Sequence, residues 1–479
     1  MEIKLYNNLT RKKEVFKPIS PNILKYYACG PTTYDFFHVG NARAFVTADL
    51  IHRVFKAFGH EVTFVRNYTD VDDKIIDRAR ELNVDAISYS DRFVKECEKD
   101  FTGLGMLPAS FTPKVSESMP EIISMIETLL KKEFAYIVNG EVLYHVPKFK
   151  EYGKLSKVKL DSLSHGIRVE TDGHKKNPSD FVLWKPAKAG EPAWDSPWGK
   201  GRPGWHIECS AMAKKYLGDT IDLHSGAVDL LFPHHENEIA QSEAANGCPF
   251  CAYWVHNEFL NFGSEKMSKS LGNVVTARHF MEKYSGEILR QLVISVHYRS
   301  KIDWSEEAVS KAMSDVERIH EYYFNLLNLV PINVSDEAEV EKVRQEFLKF
   351  KEELANDFNM PGALGVLFSV IKDFNRHCKT GVSKEYLIEI LKFTNFVKDS
   401  TGIIHDNPEI VLEKLNQARK NFGGNEKSSD AEVNLLIQER SAARLSKNWA
   451  RSDEIRNRLN ELGVAVKDNS DGSVTWSYK

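Results

Sequence analysis

Ile23-Leu24-Lys25-Tyr26-Tyr27-Ala28-Cys29-Gly30-Pro31 opens the stretch that sets the architecture. Its apolar run predicts a short strand from Ile23 to Cys29, broken by Gly30-Pro31. A loop runs from Thr32 to Asn41. Ala42 to Phe58 then has helical spacing, with Ala44, Ala48, Ile51 and Phe55 on one face and Gly59 as the stop. Val62 and Phe64 alternate into a second strand that ends at Asn67-Tyr68-Thr69-Asp70. Strand, helix and strand in this order predict an α/β fold, a parallel sheet with helices on its faces. Ligands of such sheets sit beyond the carboxyl ends of the strands, near helix N-termini. Cys29, His38 and Thr69 all fall at that edge.

Outward from this unit, Asp73 to Leu82 and Asp91 to Phe101 predict two further helices. Cys97 recurs with Phe93 and Phe101 at four-residue spacing, which places it in the core. Residues 113–200 break the pattern and form an insertion. It holds a helix, Glu121 to Lys132, a hairpin turning on Asn139-Gly140, and a Lys-, Gly- and Pro-rich tract from Gly173 to Gly204. The sheet resumes with a helix from Trp205 to Tyr216 and strands at Ile221–Leu223 and Tyr253–Val255. From Thr276 the helical period dominates, and Val309, Ala312, Val316, Ile319, Tyr323, Leu326 and Val330 form an apolar seam. Asn421 to Asp430 is a polar linker. The last fifty or so residues predict two short helices and a hairpin around Asp471-Gly472. The domains expected are 1–310 (with a signature-loop region at about 262–310), 311–420 and 431–479, joined by the linker 421–430.

A chain of 479 residues is too long for one core. Its N-terminus has no apolar run for a signal peptide, and no segment approaches membrane-spanning length. Six scattered cysteines make no disulfide framework, so the expected setting is reducing and cytoplasmic. A net charge of −4 excludes a protein that coats nucleic acid over its whole surface, while allowing a local patch. Arg440 to Arg458 holds six basic residues against two acidic ones and could be such a patch or a charged helical face.

Three constellations carry chemistry. In Leu231-Phe232-Pro233-His234-His235-Glu236-Asn237-Glu238, a helix start would put His234 and Glu238 on one face, a turn apart. With Cys29 and Cys209, each at a turn between sheet elements, they offer two thiolates, an imidazole and a carboxylate, a set that suits Zn²⁺. The same His and Glu could equally serve as caps or surface groups. Cys248-Pro249-Phe250-Cys251 is a weaker competitor, with no second CxxC to complete it. Gly263 to Asn273, with Lys266 and Lys269, is a cationic loop that could close on a polyphosphate. His38-Val39-Gly40-Asn41 opens a helix where Gly40 lets a nucleotide approach the backbone and His38 can donate to phosphate.

In combination these motifs resemble a known family. His38-Val39-Gly40-Asn41 and Lys266-Met267-Ser268-Lys269-Ser270 are similar to the two signatures of class I aminoacyl-tRNA synthetases. Ala28 to Thr32, Asn67 to Lys74, Pro203 to Ser210, Phe232 to Glu238 and Glu265 to Asn273 narrow the resemblance to the cysteinyl-tRNA synthetase family. Asp357-Phe358-Asn359 with Pro361 resembles its anticodon-side bundle. The resemblance implies a Rossmann-like catalytic domain with a connective insertion, a helical bundle, and a small α+β anticodon-binding domain. It implies Cys29, Cys209, His234 and Glu238 as zinc ligands, and His38, Gly40, Asn41, Lys266 and Lys269 as the ATP-handling residues. Gly30, Thr69, Trp205 and Asp229 fall in the segments that line the aminoacyl-adenylate pocket. Two positions depart from the family: Asn41 stands where His is usual and cannot become a cation, and Trp449 stands where Phe is more usual.

The activity implied is ATP- and Mg²⁺-dependent activation of L-cysteine and its transfer to the 3′-terminal adenosine of tRNA(Cys), by a monomer that touches no membrane. Zinc would select the thiol over serine's hydroxyl, with Glu238 the most adaptable ligand, and would make an editing domain unnecessary. The alternatives are a cysteine–amino-sugar ligase, whose kind lacks the C-terminal tRNA-binding region, and a non-catalytic tRNA-binding paralogue.

Overall fold

The computed structural model describes residues 1–159, 175–262, 265–266, 275–422, 430–446, 448–461, 464–468 and 474–478. At its centre is a parallel four-stranded sheet, ordered Cys251–Asn257, Ile221–Ala227, Ile23–Ala28, Glu61–Arg66. Tyr26 is in register with Leu223 on one side and Phe64 on the other. The chain leaves Ile23–Ala28 toward Glu61–Arg66, and the later strands add on the opposite side. The crevice between Ile23–Ala28 and Ile221–Ala227 is therefore a topological switch point, where such sheets bind ligands.

The first crossover helix spans Val39–Ala57. The sequence predicted its start at Ala42. It begins a turn earlier because His38 and Asn41 form a reciprocal capping box: the His38 side chain accepts from the Asn41 N–H, and the Asn41 side chain accepts from the His38 N–H. Nearly every face of this helix is buried, polar residues Arg43, Asp49 and His52 included. The single apolar face in the sequence understates this, because the helix is packed between the sheet and the bundle. One continuous core accordingly runs from Leu24, Tyr26 and Phe64 to Phe350, Phe393 and Val397. At the same junction Arg290 donates to Asp49 at 2.5 Å and to the Thr401 carbonyl at 2.7 and 3.0 Å. The buried Asp357 accepts from the Tyr6 N–H, the Tyr298 hydroxyl and Arg299.

The opposite sheet face packs on the insertion. There Ala135–Val138, Glu141–Tyr144, Phe181–Pro186 and Gly201–Pro203 form an antiparallel sheet in chain order. Asn139 (φ 50°) and Gly140 (φ 82°) make the expected hairpin turn, a left-handed pair that glycine and asparagine tolerate. The tract read as Lys-, Gly- and Pro-rich supplies two of these strands, because Leu183 and Trp184 are fully buried. Five bundle helices follow, Glu306–Leu327, Glu337–Ala355, Met360–His377, Lys384–Thr401 and Pro408–Phe422. The last segment has helices Asp430–Leu445 and Trp449–Glu461 and antiparallel strands Val464–Asp468 and Val474–Tyr478 around its own small core. The Asp471-Gly472 turn and most of the 421–430 linker lie outside the described residues. Among the described residues no helix is long and apolar enough to cross a membrane.

Candidate active site and metal centre

At the switch point a cleft is lined by Cys29, His38, Asn41, Thr69, Trp205, Cys209, Asp229 and His234. Gly30 lies on its wall and must be glycine, since a Cβ there would sit 1.6 Å from the Asn67 carbonyl. The Asn67 side chain accepts from the Gly30 N–H at 2.9 Å, and Thr69 pairs by main chain with Pro31 and Thr33. These bonds fix the carboxyl ends of the two strands against each other.

The deep end holds the four predicted donors. Cys29 follows the strand Ile23–Ala28, and Cys209 lies one turn into the helix Trp205–Leu217. His234 lies in the irregular turn before the helix Glu236–Asn246, which carries Glu238. Cys29 Sγ is 3.8 Å from Cys209 Sγ and 3.7 Å from Glu238 Oε1, and His234 Nε2 is 3.0 Å from the same oxygen. Tetrahedral zinc ligands at ordinary bond lengths lie about 3.3–3.8 Å apart, so this set fits zinc with little rearrangement. A second set, Cys29, His224, His235 and Glu238, shares two of these residues. It fits less well. His224 meets the other oxygen, Glu238 Oε2, at 2.9 Å, and His235 Nε2 stands 4.0 Å from Oε1. His235 Nδ1 pairs with His256 Nε2 at 2.8 Å, and His206 Nδ1 meets His234 Nδ1 at 2.9 Å. These imidazoles surround the first set as an orienting shell.

The electrostatics agree. Burial raises the Glu238 carboxyl, but the imidazoles of His224 and His234 outweigh it and pull it to about 2. Burial depresses His234, yet Glu238 and Cys209 carry it up to about 10. The hydrogen bond from Cys29 pulls Cys209 down to about 6, while burial and its anionic neighbours hold the Cys29 thiol protonated. Cys29 and His234 thus hold protons that a divalent cation would displace. Burial, joined by neighbouring histidines, keeps His206 and His256 neutral, each near 3.

The open end carries the first signature. His38 Nδ1 accepts from the Asn41 N–H at 3.1 Å, and Asn41 Oδ1 accepts from the His38 N–H at 3.3 Å. A Cβ on Gly40 would lie 2.9 Å from His38 Nδ1, so a side chain there would push the capping ring aside. Of the second signature, Glu265–Lys266 pairs by backbone with Asn261 and Phe262, and Lys269 lies outside the described residues. Trp205 stacks on His234, with ring centroids 4.2 Å apart.

Cys248 and Cys251 join no metal-ligating cluster among the described residues. Cys251 is buried in a strand with its thiol toward the Tyr253 carbonyl. Sequence reasoning missed His206, His224, His235 and His256. Their signal was density: with His234, five of the chain's sixteen histidines fall between positions 206 and 256.

The structure is similar to the LeuRS of Agrobacterium radiobacter solved with tRNA and LeuAMS (TM-score 0.60, 10% identity, 86% of each chain). It is also similar to Mycobacterium tuberculosis methionyl-tRNA synthetase in complex with methionyl-adenylate (TM-score 0.56, 14% identity, 86% of this chain and 94% of that one). Residues 15–314 match the family model described as tRNA synthetases class I (C) catalytic domain, so the fold is that of a class I aminoacyl-tRNA synthetase. Residues 349–400 match a DALR domain, and 427–476 match the cysteinyl-tRNA ligase anticodon binding domain. The cysteine–tRNA ligase of a Geobacillus species is 44% identical over 476 residues, covering 98% of both chains. That of Halalkalibacterium halodurans is 45% identical over 480 residues, covering 99% of both. The chain belongs to the cysteine–tRNA ligase family and is an enzyme of the ligase class.

Proposed function

We propose that the chain joins L-cysteine to tRNA(Cys) through a cysteinyl-adenylate, with zinc selecting the substrate thiol, and that it acts as a monomer. Aminoacylation of tRNA with cysteine is supported by the full-length relatives and by the anticodon-binding match. The observation that carries the finer reading is the placement of two thiols, an imidazole and a carboxylate at the closed end of a cleft whose open end is the first signature.

In the first step a cysteine carboxylate oxygen attacks the α-phosphorus of Mg²⁺-bound ATP and pyrophosphate leaves. In the second a ribose hydroxyl of the tRNA terminus attacks the carbonyl carbon and AMP leaves. No protein nucleophile is required, so catalysis is positioning and charge stabilisation. His38 Nδ1 is occupied as an acceptor, so the neutral ring carries its proton on Nε2 and offers it to phosphate. Lys266 and Lys269 would offset the charge on the departing pyrophosphate. Asn41 contributes orientation instead of the cation that a histidine could supply. Trp205, Thr69, Gly30 and Asp229 would wall the cysteinyl moiety. Cys29, Cys209, His234 and Glu238 would hold the zinc, which when bound favours a thiolate over a neutral hydroxyl.

Cysteine-dependent ATP–pyrophosphate exchange, followed by charging of tRNA(Cys), tests the reading before and after zinc removal. Exchange with cysteine but not serine, lost on chelation and restored by zinc, is the expected result. Full exchange and selectivity in the zinc-free protein would refute the metal's role.

A further inference from the structure

Arg43 lies one turn into the helix that His38 caps, and it is fully buried. Its contacts are backbone carbonyls. Nη1 donates to Phe259 O, and Nη2 donates to Ser300 O, to Tyr298 O at 3.2 Å and to His297 O at 3.5 Å. Burying a guanidinium is costly, and an apolar residue of similar volume is often as stable in such a place. What the structure shows is a planar fork that ties carbonyls of two separate segments to one helix.

What it grips defines that geometry. Phe259 precedes the strand Leu260–Phe262, which pairs with Glu265–Lys266 at the start of the second signature. His297 to Ser300 precede the strand Ile302–Trp304, the parallel partner of Leu260–Phe262. Beyond the second signature the chain returns at Val275, whose carbonyl accepts from the Val39 N–H at 3.0 Å, and Thr276 bridges to His38. Both ends of the second-signature segment thus rest on the helix of the first. Main-chain bonds hold one end and the Arg43 fork holds the other.

We propose that Arg43 is a positioning residue for adenylate formation: it sets the register between the first-signature helix and the strand Leu260–Phe262, which leads into the second signature. This rests on the ATP-dependent activation proposed above. Arg43→Lys keeps the charge and the apolar stem, but a single ammonium cannot span carbonyls of two segments as the planar fork does.

The test is a double-mutant cycle in cysteine-dependent ATP–pyrophosphate exchange, with zinc content and cysteine KM measured alongside. Arg43→Lys should lower kcat by about tenfold or more, the scale of a small misplacement of reacting groups. Zinc should be retained and the cysteine KM held within about twofold, because the metal-end contacts are untouched. In a Lys269→Ala background the further loss should shrink to about twofold or less, since both changes remove one function. Undiminished multiplication of the two effects, or loss of zinc in Arg43→Lys, would mark a general structural role and overturn the proposal. Wild-type rates in Arg43→Lys would overturn it alone. A wild-type chain without cysteine-dependent exchange would overturn the functional reading and this one with it.

Discussion

Replacing His224 by Phe should weaken zinc binding without disturbing the fold around it. His224 Nε2 lies 2.9 Å from Glu238 Oε2, while His234 meets Oε1 at 3.0 Å. Both the His224 and Glu238 side chains are fully buried. The His224 contact therefore fixes which carboxylate oxygen faces the metal position. The ring also stacks on Trp254, with centroids 4.5 Å apart and planes 15° apart, and Phe preserves that stack. What Phe removes is the hydrogen bond, which leaves Oε2 buried without its donor. Losing such an orienting partner typically costs about 10–100-fold in metal affinity, or about 1.4–2.7 kcal/mol. His224→Gln, which restores a donor, should recover part of the loss. Competition against a chromophoric chelator at fixed pH measures both variants against the wild type. Equal zinc affinity in wild type and His224→Phe would refute the assignment of Glu238 as a ligand oriented by His224.

Three further outcomes are expected. Cys209→Ser should cut the preference for cysteine over serine in pyrophosphate exchange by at least about tenfold, because a pocket without a soft-metal contact rejects a hydroxyl poorly; unchanged preference would sink the zinc-sorting reading. Asn41→Ala removes half of the capping box, worth about 1 kcal/mol, and should lower exchange kcat about fivefold if that energy holds His38 in its productive pose, with zinc content as the control. For Asp49, burial raises the carboxyl pKa, but Arg290 and Arg53 outweigh it and hold it below the usual range. Its stabilisation should be complete above about pH 4 and fade as pH falls through the depressed folded value. Urea unfolding between pH 5 and pH 2 should therefore show a shallower loss of stability with acid in Asp49→Asn than in wild type.

Much of this site was legible in the sequence because it rests on local rules. Strand period, the Gly30-Pro31 break and the His234–Glu238 helical offset each need only a few neighbouring residues. They sufficed to place Cys29, His38 and Thr69 at one sheet edge. The helix start at Val39 was not legible, because histidine as a cap depends on the reciprocal bond to Asn41 more than on its own propensity. Burial of the first helix on all faces was hidden for a different reason: the partners of Arg43 and Asp49, Phe259 and Arg290, lie more than two hundred positions away in the chain. The histidine shell was concealed likewise, since His224 and His256 sit on neighbouring strands whose pairing no local pattern reveals.

The two ends of the cleft need opposite environments, and the switch point supplies both. Selecting a thiol demands desolvation, so that an unmatched hydroxyl finds no water and no alternative donor; Cys209, His234 and Glu238 are at most 2% exposed. Handling a polyphosphate demands access for a large hydrated anion, and Asn41 is exposed while His38 is half-buried. Trp205 stands at the boundary, stacked on the buried His234 while 41% of its own surface remains open. Because Cys29 follows the strand and His38 caps the helix of one strand–helix unit, the two ends of the cleft share a single backbone scaffold. On the function proposed, a substrate seated wrongly at the metal end would be displaced from the reactive end as well. Binding selectivity would then pass directly into the proposed adenylate formation, and a separate site to remove errors would be unnecessary.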